Sequence, residues 1–551
     1  MTLRRQLRAA VNCGLAILCW STPSRPQAAI PGEVAIGAQF RIAGTVVSAT
    51  TAAPLAQTRV SIYDVKAPGA IRSMITSSDG HFEFHAPGAG KYSLQAARRG
   101  FIGAAYDQHE QYSTAIVTGA GIDTENLVLR LNPAALLSGT VRDESAEPVR
   151  LATVALFRED HSAGVSRVVH VNGTTTDDQG SYEFARLAPG NYFVSATAKP
   201  WYAVHFVPPP DEVALTSPTT ADRNLDVAYP TTYYPDATDA DQAVPIPLKG
   251  GDRVQIEIRL APVPALHLRF HLSEGDGFSM PTLQKKAFDS EQYATNFETE
   301  LISPGVYDLT GVPAGHYSVR SEGPSGRQLS DVDLVNDGQE LDTGNGDALA
   351  AVTATVQVLG QKEVPSDLQF GMLDSRRTVT AFQRIDGKGQ VHFGDVAPGE
   401  YAILAWGPSK TYAVARISSR GAEIQGHTLT VTPNASLDIS VSLARGATNV
   451  EGIATRAGKG AAGAMVVLVP DAPENHTEFF RRDQSDLDGT FNLRSVIPGT
   501  YTIIAIENGW ELDWSQPAVL TQYAKHGQTV TVGMQAQASI HLPQPIEVQP
   551  R

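Results

Sequence analysis

Between Asp177 and Thr197 apolar and polar positions alternate twice, with a break between the two runs. Asp177-Asp178-Gln179-Gly180 supplies a turn, and Tyr182 and Phe184 then alternate with polar neighbours. Ala188-Pro189-Gly190 interrupts the run before Tyr192, Val194 and Ala196 take it up again. A period of two marks a strand with one buried face, so the stretch predicts a β-hairpin whose strands bury their aromatic and aliphatic side chains together.

The same pattern returns along the chain. It is found at Asp79–Tyr92, at Val306–Tyr317, at Asp386–Tyr401 and at Asp488–Tyr501. In each copy an apolar residue of the first strand (Phe84, Phe184, Leu309, Phe393, Leu493) stands eight positions before a tyrosine (Tyr92, Tyr192, Tyr317, Tyr401, Tyr501), and a glycine stands two before that tyrosine. The repeat period, about 80 to 125 residues, is too long for a solenoid turn and suits a small domain. The tyrosines are read as structural, each ring buried at a sandwich corner with its hydroxyl returned to the backbone.

The pattern therefore predicts an all-β chain, a tandem array of about five β-sandwich modules of transthyretin-like or immunoglobulin-like type. Expected spans are residues 36–132, 136–262, 265–347, 350–445 and 446–545, the third and fourth being degenerate. Strands rich in small and branched residues support the division: Phe40-Arg41-Ile42-Ala43-Gly44-Thr45-Val46 opens the first module, Leu137-Ser138-Gly139-Thr140-Val141 the second and Val450-Glu451-Gly452-Ile453 the fifth. With 42% hydrophobic and 18% charged residues among 551, the chain has enough apolar material for several cores.

Residues 1–29 read as a signal peptide: Arg4, Arg5 and Arg8, an apolar stretch from Ala9 to Trp20, and small residues at Ala28 and Ala29. Both cysteines, Cys13 and Cys19, lie inside it, so the mature chain is expected to hold neither disulfide nor cysteine nucleophile. Its removal takes four arginines and no acid, moving the formal charge from −15 to −19. An acidic chain without a basic run argues against nucleic acid, and no later apolar stretch is long enough for a transmembrane helix.

The order Gly-x-Val, small-residue strand, Asp-Gly with alternating aromatics, then Pro-Gly-x-Tyr resembles the carboxypeptidase regulatory-like domain of bacterial secreted proteins. The resemblance is good in modules one, two and five. It implies a transthyretin-like or carbohydrate-binding-like sandwich, the non-catalytic partner of a peptidase rather than the peptidase. His271-Leu272-Ser273-Glu274 has the spacing of a zinc peptidase pair, but it continues the alternating run from Leu266 to Phe270 and reads as strand. No nucleophile elbow, phosphate loop or dinucleotide fingerprint is present. The chain is expected not to be an enzyme and to need no cofactor.

Two kinds of side chain remain for binding. Sugar rings stack on exposed aromatics beside polar groups, which makes Trp510, Glu511, Asp513 and Trp514 the first candidates and Trp201 and Tyr202 the second. Asp236, Asp239 and Asp241, and separately Asp483, Asp486 and Asp488, could offer oxygens to calcium, although solvated turn carboxylates are the plainer reading. The expected function is a secreted binding or scaffolding protein of the cell envelope, in the periplasm, on the outer surface or outside the cell. Polysaccharide or an envelope protein is the expected partner. The alternatives are an adhesive or structural surface protein and an accessory chain of an envelope peptidase or transporter.

Overall fold

The computed structural model describes residues 40–551 other than 87, 120, 206–223, 272–279, 304, 324–325, 342–346, 376–378, 408–409, 475–476 and 535–537. The signal segment and Leu272 to Glu274 lie outside the described residues. The fold is all-β, a tandem array of sandwiches, and one strand plan accounts for five successive units.

In the second unit the opening strand Ala135–Arg142 pairs antiparallel with Ser181–Leu187 and parallel with the closing strand Arg253–Arg259. The facing sheet is built on Thr153–Asp160, which pairs antiparallel with Arg167–Thr175 on one side and Gly190–Thr197 on the other. Alternate residues of both sheets meet between them, where Leu137, Val154, Leu156, Tyr182, Phe184, Tyr192 and Val194 form one core. The first unit repeats the plan with Phe40–Ser48 between His81–Ala86 and the parallel Leu127–Leu131. The third, fourth and fifth units do so from Val263–His271, Ala350–Val358 and Thr448–Arg456. Each unit closes over its own cluster of buried side chains.

This pairing corrects the hairpin expectation. Ser181–Leu187 and Gly190–Thr197 are not neighbours in a sheet; the first belongs to the opening-strand sheet and the second to the facing sheet. All five repeats behave this way, so each is an arch that carries the chain across the core from one sheet to the other. The physical reason is that alternation records which side chains face the core and not which strand supplies the hydrogen bonds. Two strands facing one another across a core alternate just as two strands side by side do.

The repeated tyrosine fastens the arch. Tyr192 donates its hydroxyl to the carbonyl of Ala188 at 2.8 Å, and Tyr317, Tyr401 and Tyr501 donate to Pro313, Ala397 and Ile497 at 2.9, 2.8 and 2.7 Å. Each bond reaches back four residues over the Gly turn, burying the ring while satisfying a carbonyl that the crossing leaves unpaired. Tyr92 makes the same bond to Gly88 at 3.3 Å, longer because Gly88 lies in the displaced Pro-Gly of the first unit.

The fourth unit departs in one respect. Its strand Lys410–Arg420 pairs with both Gly399–Gly407 and Ser436–Arg445, so its sheets join along one side into a nine-stranded sheet. A register shift between Val414 and Arg416 lets this long strand turn the corner.

Candidate functional site

Trp510 and Trp514 lie on either side of Leu512 after the strand Gly499–Ile506, in a short turn that leads into the helix Pro517–Ala524. Proline at the first helical position starts that helix without losing a hydrogen bond. The two indoles are 6% and 7% exposed and pack on Met465, Val467, Phe480 and Ile504, the outer face of the fifth unit's sheet. His109 of the first unit stacks on Trp510 with ring centroids 5.1 Å apart and planes 7° from parallel. Arg482 lies over Trp514 at 4.2 Å and forms a two-toothed pair with Glu110 of the first unit at 2.7 and 3.1 Å.

The expectation of exposed sugar platforms at Trp510 and Trp514 is thus corrected: both are buried, Trp510 beneath His109 of the first unit and Trp514 beneath Arg482 of its own unit. Glu511 pairs with Arg551 at 2.8 Å, and Asp513 meets His161 of the second unit at 3.3 Å. Trp510, Asp513 and Trp514 lie at a seam where the fifth unit docks on the first two, while Glu511 pairs within its own unit.

The seam is closely fitted. Gln484 donates to the carbonyl of Asp107 and to Thr114 Oγ1, and Leu487 of the fifth unit packs against the first unit's core while its N–H donates to Ala115. Tyr112 returns the exchange by packing among the tryptophans. Gly164, with φ +83°, approaches so closely that a Cβ there would meet Ser515 Cβ at 2.6 Å, and its carbonyl accepts from Ser515 N and Oγ at 3.0 Å each.

Beside the seam the first and fifth units leave an open cleft of about 1550 Å³. It runs onto the outer face of the first unit's larger sheet, where a depression of about 440 Å³ is lined by Ser61, Tyr63, Ser93, Gln95, Gln108 and Gln111. The two share Tyr63, Ser93 and Gln111. The lining follows from strand parity: Ile62 and Leu94 point into the core, so their neighbours point out. Gln95 Nε2 donates to Tyr63 Oη at 3.5 Å, a weak contact that leaves the amide free to turn toward a ligand. The result is a groove in which hydroxyl and amide groups, with Arg59 among them, surround one phenol ring.

The family model for the carboxypeptidase regulatory-like domain matches residues 41–126 and 137–227. The chain contains two carboxypeptidase regulatory-like domains. No curated protein matches the chain. Solved structures similar to it include the Bacillus anthracis TIE protein, at 12% identity and TM-score 0.18 over 74% of both chains. A Streptococcal ancillary pilin is similar at 13% and 0.20 over 52% of this chain and all of that one. The minor pilin GBS52 of Streptococcus agalactiae is similar at 11% and 0.22, over 41% of this chain and 96% of that one. Superpositions of this quality carry no argument, and the architecture rests on the strand pairing above.

The first regulatory-like domain carries the groove; the second carries Trp201 and Tyr202. Trp201 is 86% exposed, and its neighbour Tyr202 is anchored through its hydroxyl to Glu144, which also accepts from Tyr229 at 2.7 Å. These two lie in the second domain, apart from Trp510, Glu511, Asp513 and Trp514 of the fifth unit. Asp236, Asp239 and Asp241 are exposed; Asp239 accepts from the N–H of Asp241 at 3.0 Å and caps a short 3₁₀ turn. Among the described residues they form no ligand cluster.

The other acidic set is structural too. Asp488 accepts from Thr490 N and Oγ1 at its turn, and Asp486 takes Lys91 of the first domain at 2.5 Å and the N–H of Ala115 at 3.0 Å. Burial pushes the Asp486 carboxyl up against the opposing pull of Lys91. Burial raises Asp483 to about 6, outweighing the N–H that Asn492 donates at 2.7 Å.

Sequence reasoning missed the groove. Its signal was present in the outward positions Ser61, Tyr63, Ser93 and Gln95, but outward polar residues on a strand are the norm and do not announce a site.

Proposed function

We propose that the protein is a non-catalytic binding protein of the cell envelope that holds a polysaccharide along the groove between Tyr63, Gln95 and Gln111, with the cleft beside the seam as its continuation. The observation that supports this is the lining. A sugar chain offers apolar ring faces and a rim of hydroxyls, and the groove offers one aromatic face among amide and hydroxyl groups able to donate and accept. The seam contributes by holding the fifth unit against the groove's end. Export through residues 1–29 would bring the chain to such a ligand.

Affinity electrophoresis against a panel of polysaccharides tests the reading. Retardation by at least one glycan is expected, with Kd rising about tenfold in Tyr63→Ala, the loss of roughly one ring contact. A flat panel from folded protein, or retardation that Tyr63→Ala and Gln95→Ala leave untouched, would sink it.

A specific feature favours a second reading. Among the described residues the strand Ala67–Ile75 is the outermost of its sheet, pairs only through Arg59–Asp64, and exposes Ile71 and Ile75 on one face. Such an edge can accept a strand from a protein partner, which would make the chain an adhesive or structural surface protein.

A further inference from the structure

Away from the groove, two histidines and an aspartate converge where the second unit meets the third. His205 and Asp226 are brought together because Val204 N donates to Leu225 O at 2.9 Å, which closes the chain's excursion between them. Asp226 is then held against the third unit's opening strand, its carbonyl accepting from Ala265 N at 3.0 Å. His205 Nδ1 lies 2.8 Å from Asp226 Oδ1, and His267 Nε2 lies 2.7 Å from Oδ2. All three ligand atoms fall within 4.8 Å of one another.

Three further features shape this place. His267 sits at a register shift between Leu266 and Leu268, an irregularity that re-aims a side chain which plain alternation would direct elsewhere. Its Nδ1 faces the buried carboxylate of Asp308 at 3.6 Å, on the far side of the ring from Asp226. Gly311, with φ +82°, leaves the space into which the His205 ring fits, and a Cβ there would meet His205 Nε2 at 2.7 Å. The side chains of His205 and His267 are only 2% and 13% exposed.

We propose that His205, His267 and Asp226 form a binding site for a divalent transition metal of the zinc class, with Asp308 as the carboxylate that orients His267. Two imidazole nitrogens and one carboxylate oxygen are the donor set that such ions take in four-coordinate sites with one position left for water. An oxygen acceptor behind a ligating imidazole fixes its tautomer and raises its basicity, which is the position of Asp308. Bringing an ion 2.0 to 2.2 Å from each ligand asks each imidazole nitrogen to draw back by roughly half an ångström from the Asp226 oxygen it now touches, because tetrahedral ligands stand about 3.3 Å from one another. Bound metal would clip the two ends of the excursion to the third unit and so fix the junction between the two units.

The test uses the full mature chain, stripped with a chelator and titrated with Zn²⁺ by calorimetry, and with Co²⁺ followed by its visible absorption. One equivalent is expected to bind, with the intense visible bands of four-coordinate cobalt and a rise in unfolding temperature on adding Zn²⁺. His267→Ala and His205→Ala should abolish the equivalent, Asp308→Asn should weaken it by about 10- to 100-fold without changing its stoichiometry, and His316→Ala, at an exposed site elsewhere, should leave it intact. Should either histidine variant fail to fold, the Asp308→Asn affinity and the cobalt spectrum of the parent chain still decide the matter. Absence of a stoichiometric equivalent, or one that survives in both histidine variants, overturns the assignment and leaves a cluster bridged by protons alone.

Discussion

Asp483 shows how a single carboxyl can be placed by a neighbouring module's demands. It lies on the strand Arg481–Gln484, whose other residues supply the seam's arginine and glutamine. Its carboxyl titrates near 6 in the fold against 3.8 for the free group, so the fold favours the protonated form. The stabilisation from this group is fully present below about pH 3.8 and is lost as pH rises through 6. Asp483→Asn keeps an acceptor for Asn492 and carries no charge. It should stabilise the protein at pH 7 by on the order of 1–2 kcal/mol and flatten the stability curve between about pH 4 and 7. Denaturant unfolding of both proteins across that range checks this, and parallel curves would refute it. At this scale the sequence was least informative. Trp510 and Trp514 look the same in a sequence whether they face solvent or His109 and Arg482, residues that lie hundreds of positions away or on another strand.

The arch is the element that the repeat encodes. Its tyrosine, glycine and apolar partner were legible because eight- and two-residue spacings are local, and the returned hydroxyl bond follows from burying a phenol beside a turn. The sheet assignment was not legible, since no residue within the arch says which strand will pair with it. Tyr501→Phe should cost about 1 kcal/mol, leaving the Ile497 carbonyl without its 2.7 Å donor. Tyr92→Phe, which loses only the 3.3 Å contact to Gly88, should cost less. Unfolding midpoints of the two variants compare them directly, and the reverse order would count against the arch bond as a fastener.

For the whole molecule, composition and repeat were enough to foresee an all-β array, because each module's core is made from its own neighbouring strands. The closing of the array on itself was not foreseeable from any one repeat. It depends on Leu487 and Tyr112 trading places across the seam and on Arg482 satisfying Glu110 while covering Trp514. Arg482→Ala should cost about 1–3 kcal/mol at that contact, through the lost charged hydrogen bonds to Glu110 and the lost cation over Trp514. Small-angle scattering should then show a larger radius of gyration while circular dichroism keeps its β signature. Unchanged scattering would mean that other contacts hold the fifth unit in place.

The parallel pairing of opening and closing strands has a mechanical consequence. Because the two run in the same direction, the chain enters each sandwich at one end and leaves at the other, and the strands that carry it in and out are neighbours. Tension between the ends of a module therefore pulls the two strands past each other along their length. Their ladder bonds share the load at once instead of parting one by one like a zip. The seam at Trp514 has no such parallel ladder, so under traction it is expected to part before the sandwiches do.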